Sequence, residues 1–246
     1  MAIRDLTSQR LFVETDLHEA AAIDCDATQA NYLVNVLRLK VGERVLVFNG
    51  RDGEWAAEVA EAAKRKCRLI VRTICRAQEA GPDMLYVFAL LKRTRLETIV
   101  QKATELGAAQ LQPVTTDHSQ VDRVNPQRLR ANVIEAAEQC GILRVPDIHS
   151  VMRLDHVLDQ WEPQRPLVFC DEGAEITNPI AALGAVPPGP VAVLIGPEGG
   201  FSPRERSRLL GMASVVRLSL GPRIMRADTA GIAALALVNV TVGDWR

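Results

Sequence analysis

The stretch "VLIGPEGGFSPRE", residues 193–205, gathers residue types that can hold a small molecule. An apolar run stops at Gly196, and a turn of Gly, Pro, Glu, Gly and Gly follows. Then "SPRE" reads as a helix start, with Ser202 as N-cap, Pro203 in the first turn and Glu205 completing a capping box. A tight glycine turn between a strand and a helix is where α/β proteins hold ligands. A phosphate is a poor match for this turn. The glycines at 196, 199 and 200 have neither dinucleotide nor P-loop spacing, no lysine is near, and Glu198 repels anions. A neutral or cationic heterocycle suits it better, because glycines let backbone N–H and C=O groups approach closely. A second glycine loop, "LSLGPRIMRADTAG" (218–231), follows the next apolar run, and two such loops on successive strands can close over one ligand. In it, Arg226 stands just before Asp228 and Thr229 at the start of the final helix, where a cation meets the positive end of the helix dipole. That placement costs a little stability and points to a chemical role. The competing readings are a structural strand–helix turn and a solvated surface arginine.

These loops need a scaffold, and the pattern of the chain supplies one. The first third reads as short strands over residues 10–14, 43–50, 54–62 and 67–76, with one helix over 26–37 capped by Asp26. "NGRDG" between the second and third strands is hairpin chemistry. Short strands with one helix predict a small barrel, and "QEAGPDM" (78–84) reads as a linker. Beyond it strands and helices alternate. "MLYVFALL" is apolar throughout, as a strand covered on both faces would be. "LETIVQKATELG" (96–107) carries Leu96, Ile99, Val100, Ala103 and Leu106 on one stripe, with Gly107 ending the helix. A helix over 126–141 and the strands "AQLQPV", "PLVFCD", "PVAVLIG" and "SVVRLSL" continue the alternation, and "ADTAGIAALALVNV" predicts a deeply buried final helix. The fold class is α/β: a small N-terminal β-barrel, then a mostly parallel sheet covered by helices.

Composition narrows the function. The chain has 246 residues, 48% hydrophobic and 24% charged, and a net charge of −1. Bulk charge gives no warrant for nucleic-acid binding, so any RNA contact must come from local patches. Five scattered cysteines, with no C-x-x-C, read as reduced packing residues of a cytoplasmic protein and supply no zinc site. The four histidines do not cluster near them, and His118, His149 and His156 have no partner set. No run approaches membrane-spanning length. Neither a metal nor a membrane is expected.

Taken together, these blocks resemble the RsmE family of bacterial methyltransferases, which modify uridine N3 of 16S ribosomal RNA and belong to the knotted SPOUT class. "YLVNVLRLKVGERVLVFNGRDGEWAAEV" resembles the family's PUA-like barrel, and "KRTRLETIVQKATELGAAQLQPV" the first strand–helix–strand of its catalytic domain. "EAAEQCG" with "VPDI", "IGPEGGFSPRE" and "LSLGPRIMRADTA" match the remaining blocks in order. The chain departs from the pattern at Asp228, where the family commonly has Glu, and at Ile142, where it has Arg; Arg144 is the nearest substitute. The resemblance implies a PUA-like RNA-binding domain over residues 1–77 and a methyltransferase domain over 84–246 with a C-terminal trefoil knot. It implies S-adenosylmethionine as cofactor, a homodimer, and the assembled small ribosomal subunit as substrate. The alternatives are a methyltransferase of the same fold acting on tRNA or a ribose hydroxyl, and a non-catalytic RNA-binding protein.

Under this reading each candidate has a task. Leu194, Gly196, Gly199, Gly200, Leu218, Leu220, Gly221 and Met225 are expected to line the cofactor site, mainly through backbone. Arg226 or Arg223 would stabilise charge on the uracil carbonyls, and Asp228 or Glu198 would accept the N3 proton. Asp228 also suits a helix N-cap. RNA contacts are expected from Arg10, Arg38 and Lys40 in the barrel and from Lys92, Arg93 and Arg95 after the linker.

Overall fold

Two glycines with positive φ close the first hairpin. In the computed structural model, which describes residues 9–175 and 178–245, Gly50 and Gly53 stand at φ +83° and +82°. The N-terminal elements are β1 (Arg10–Phe12), β2 (Ala22–Asp24), α1 (Ala27–Ala30), β3 (Arg44–Phe48), β4 (Glu54–Ala63) and β5 (Lys66–Arg76). They form one sheet in the order β1-β3-β4-β5-β2, antiparallel except for the parallel β1–β3 pair. Leu33, Val45, Val47, Val59, Leu69 and Val71 lie in its core. Asp26 caps α1 through a capping box with Gln29. The helix then continues as a π-helical turn, Asn31–Val36, and closes where Arg38 takes φ +60°. The short strand β2 has no sequence signal of its own; its three residues are held by the ladder to β5.

Residues 137–145 pack with this unit, whose other part is residues 1–80. Arg10 shows how. It is 7% exposed, and its Nε donates to Glu54 Oε1 at 2.6 Å. Its Nη groups donate to the carbonyls of Ala137, Glu138 and Ile142, and the guanidinium covers the Phe48 ring at 4.3 Å. Arg76 donates to Glu54 Oε2 at 2.8 Å and to the Gly141 carbonyl at 2.9 Å. Burial works to raise the Glu54 carboxyl, but Arg76 and Arg10 together hold it below its ordinary value. The expected RNA contact by Arg10 is therefore corrected. Its guanidinium is spent inside the unit, where removing one member of a buried ion pair leaves an uncompensated charge.

The second unit comprises residues 81–136 and 146–246. Its elements are β6 (Met84–Ala89), α2 (Arg93–Glu105), β7 (Gln110–Thr115), α3 (Pro126–Cys140), β8 (Asp147–Ile148), β9 (Met152–Arg153), α4 (Leu154–Asp159), β10 (Leu167–Cys170), α5 (Pro179–Leu183), β11 (Val191–Ile195), α6 (Pro203–Leu210), β12 (Val215–Leu218) and α7 (Ala227–Thr241). The last turn of α3 falls among the residues that pack with the first unit. Every strand pairing here is parallel, in the order β12-β10-β11-β6-β7-β8, with β9 also on β7. Helix α2 begins at Arg93, three residues before the apolar stripe, with Lys92 at its N-cap position. Its expected face is buried at Leu96, Ile99, Val100 and Ala103, and Gly107 ends it at φ +78°.

Helix α7 buries Ala227, Gly231, Ala234, Leu235, Val238 and Asn239. Ile232, Ala233, Ala236 and Leu237 are only partly buried, and Val240 is exposed. The expectation of burial all round is thus met on one face alone.

Candidate functional site

Strands β12, β10 and β11 are neighbours, and each passes its C-terminal end to a loop. The loops 171–175, 196–202 and 219–226 enclose a cleft of about 330 Å³. This is the crevice at the carboxyl ends of parallel strands where such sheets take ligands. Gly196, Gly200, Leu218, Leu220, Gly221 and Met225 line it as expected, with Glu198 and Arg223.

Two expected cofactor residues do not line it. Leu194 is fully buried and packs in the core with Phe169, Ala192 and Leu209. Side chains alternate along a strand, so its neighbour Ile195 lines the cleft instead. Gly199 also turns away. A Cβ built there would face His118 at 3.4 Å, and its carbonyl lies 3.0 Å from His118 Nδ1. Gly200 is the glycine the turn requires: it has φ +66°, and a Cβ on it would stand 3.1 Å from Glu172 Oε1. At Gly196 a Cβ would meet the Phe201 ring at 2.7 Å.

The turn is anchored from both sides. Ser202 and Glu205 form the expected capping box. Ser202 Oγ also donates to Asp117 at 2.7 Å, and the Asp117 N–H donates to Glu205 Oε1 at 2.9 Å. Arg204 bonds Asp117 and Asp155. The hydroxyl of Ser202 and the Arg204 guanidinium hold the Asp117 carboxyl below its usual range. The segment after β7 therefore clamps the glycine turn. His118, which had no partner set in the sequence, belongs to that clamp.

The loop after β10 brings to the cleft two carboxylates that the sequence did not single out. Asp171 accepts from Arg206 at 2.9 Å and from Arg217 at 3.0 Å, and from the Gly173 N–H at 3.0 Å. Burial acts to raise this carboxyl, but Arg206, the Gly173 N–H and Arg217 hold it below its ordinary value. Glu172 is exposed beside Gly200 and lines the same cleft. Burial pushes the Cys170 thiol up to about 12, which removes it as a nucleophile at neutral pH.

Arg226 occupies the N-cap position of α7, exposed, with no side-chain capping bond and no ion pair among the described residues. It stands between Met225 and Ala227, both of which line the cleft, but is not itself in the lining. Asp228 is also outside the lining. It sits in the first turn of α7 and not at the cap, so the N-cap reading of Asp228 is corrected; its charge meets the helix dipole instead. Glu198 forms an ion pair with Arg95 at 2.9 Å, which joins a candidate base to a candidate RNA contact. Arg38, Lys40 and Lys92 are exposed. The Arg93 side chain lies outside the described residues. Ile142, where the family has arginine, is partly buried and gives its carbonyl to Arg10; Arg144 donates to the Ala80 carbonyl at 2.7 Å.

All five cysteines are free thiols. Among the described residues no three His, Cys, Asp or Glu side chains are grouped to hold a metal ion. No helix there is long and apolar enough to cross a membrane.

Comparison with known proteins places this geometry. A model of the RNA methyltransferase domain matches residues 78–239, and one of the RNA methyltransferase PUA domain matches 26–72. The chain is 30% identical to the ribosomal RNA small subunit methyltransferase E of Synechocystis, over 94% of this chain and 77% of that protein. It is 28% identical to the enzyme of the same name from Rickettsia conorii, over 94% and 95% of the two chains. A putative methyltransferase from Legionella pneumophila, solved with bound S-adenosylmethionine, superposes with a TM-score of 0.83 at 26% identity, over 95% of this chain and 97% of that one.

Proposed function

We propose a reaction for this cleft on the premise that the chain belongs to the ribosomal RNA small subunit methyltransferase E family: transfer of a methyl group to N3 of one uridine of 16S ribosomal RNA. The carrying observation is a glycine-walled cleft at the ends of three adjacent parallel strands, with Arg226, a cation without an ion pair among the described residues, next in sequence to its lining. The residues present fit S-adenosylmethionine. The cleft volume is at the lower end of small-molecule sites, Gly196, Gly200 and Gly221 leave backbone accessible, and the carboxylates of Glu172 and Glu198 suit a cation and not a phosphate. When bound, the cofactor supplies an electrophilic methyl group. The backbone of the 196–202 and 219–226 loops would hold it, and Leu218, Leu220 and Met225 would supply the apolar contacts.

The chain's own residues then do three things. The cleft holds the uracil edge in line, which removes translational freedom and contributes several kcal/mol. Arg226, with Arg223 beside the cleft, stabilises negative charge spreading onto the carbonyls flanking N3. Asp228 accepts the N3 proton; general-base assistance is worth about 10²–10⁴-fold. Glu198 suits that task less, because Arg95 already holds its carboxylate. We assign RNA binding to the 1–77 domain, through Arg38 and Lys40, supplemented by Lys92, Arg93 and Arg95 of the 84–246 domain.

With a net charge of −1, free-RNA affinity should be weak, so the assembled small subunit is the expected substrate. Purified subunits from a deletion strain, which should lack 3-methyluridine in 16S ribosomal RNA, should regain it on incubation with the protein. Naked RNA should be methylated poorly, and binding should weaken with salt as phosphate contacts release counterions. Equal rates on both substrates at matched salt would refute the role of assembled shape. A wild-type 3-methyluridine level in the deletion strain would move the reading to tRNA or a ribose hydroxyl.

A homodimer is the second part of the proposal. Ile224, in the cleft loop, is 90% exposed, and α7 leaves Val240 exposed beside a half-covered apolar flank. A second copy would cover apolar side chains that one chain leaves in water. Sedimentation of the cytoplasmic fraction should give twice the mass of one chain, and an active monomer would contradict the proposal.

A further inference from the structure

Among the described residues the Tyr86 hydroxyl is buried without a hydrogen-bond partner, against Gly231 of α7. A buried donor left unmade costs free energy, so such a group needs an explanation. The fold makes room for it: a Cβ at position 231 would stand 2.3 Å from Tyr86 Oη, so only glycine is tolerated there. Gly231 lies three residues after Asp228 on the same helix, and residues so spaced share a face. The orphan donor and the candidate base therefore lie on one side of α7.

The groups around the phenol leave it few partners. Ile99 of α2 approaches the same point, Phe88 stacks on the ring at 5.2 Å between centroids, and the strand neighbours Val193 and Leu111 are apolar. The titratable groups near enough to act on it electrostatically are Cys170 on β10, a thiol and a weak acceptor, and Asp228. Burial first, then Cys170 and Asp228, keeps the phenol protonated far above its ordinary value. It is a donor at any working pH. Asp228 is partly exposed, and one of its oxygens accepts from the Thr229 N–H at 3.1 Å, which leaves its other oxygen without a partner among the described residues.

We propose that Tyr86 is a positioning residue: in the working enzyme its hydroxyl donates to the Asp228 carboxylate and fixes the direction in which that carboxylate accepts the substrate proton. This rests on Asp228 being the base. The hydrogen bond would fix one carboxylate oxygen and leave the other for the substrate proton.

Tyr86→Phe removes one oxygen and fills the same space, so the fold should survive, as circular dichroism and the melting temperature will show. Single-turnover methylation of small subunits should slow about tenfold. S-adenosylmethionine affinity by calorimetry should not change. In an Asp228→Asn background, Tyr86→Phe should add nothing further. A Tyr86→Phe enzyme with wild-type rate overturns the proposal while leaving Asp228 in place, provided Asp228→Asn is impaired. If Asp228→Asn is silent, the base assignment itself fails, and the proposal falls with it. A Tyr86→Phe change that slows the Asp228→Asn enzyme by the same factor as the parent marks the hydroxyl as a packing element and also overturns it.

Discussion

Arg226→Ala should lower single-turnover methylation of small subunits about 10²–10³-fold, or roughly 3–4 kcal/mol, and leave cofactor affinity nearly unchanged. The expectation follows from where the guanidinium stands. It is exposed, makes no ion pair among the described residues, and caps α7 without a side-chain bond to the helix. Nothing in the folded chain depends on it, and a cation at a helix N-terminus is mildly unfavourable. The variant should therefore melt no lower than the parent. Under the proposed mechanism it loses a preorganised cation for charge that appears only in the transition state. Lysine should restore the rate incompletely, because a point charge lacks the planar fork that spans a carbonyl edge. A rate within the error of the parent's would remove Arg226 from the chemistry.

The parts of this site that were legible in the sequence are those with local causes. The hairpin at "NGRDG", the capping box of Ser202 and Glu205, and the left-handed end of α2 at Gly107 are each decided by a few adjacent residues. Strand identity in the second unit follows from apolar runs that are covered on both faces. Side-chain direction at single positions is harder. Leu194 and Ile195 differ by one step of a period-two pattern in a strand buried at all five residues, so composition does not tell which of them faces the cleft. Gly199 and Gly200 are identical in type, and φ and the direction each faces separate them only in the folded chain.

Long-range pairings were invisible. Arg10 has the look of a surface cation until Glu54, forty-four positions away, and the end of α3 close around it. Asp171 and Glu172 sit in "CDEGAE", which has no ligand signature of its own. Their place in the cleft comes from β10 lying between β11 and β12, an order fixed by the whole sheet. A charged pair directly after an apolar strand was the one available signal, since ligands gather at carboxyl ends of parallel strands.

The contrast between two neighbouring glycines gives a second large expected effect. Gly200→Val should cost roughly 10- to 100-fold in S-adenosylmethionine affinity, whereas Gly199→Ala should be nearly silent. Position 200 is left-handed at φ +66°, and a Cβ there stands 3.1 Å from the Glu172 carboxylate at the cleft wall. A β-branched residue in that backbone region costs about 1–3 kcal/mol. The free loop can relax away from the strain, but binding must restore the native turn, so the cost appears in affinity at about tenfold per 1.4 kcal/mol. The valine side chain would also enter space beside Glu172. At position 199 φ is not left-handed, and the added methyl would only touch His118 at 3.4 Å on the far side of the turn. Calorimetry with each variant, with circular dichroism to confirm a native fold, separates the two. Equal losses would mean that the turn binds through Gly199 after all, and unchanged affinity in Gly200→Val would remove this turn from the cofactor site.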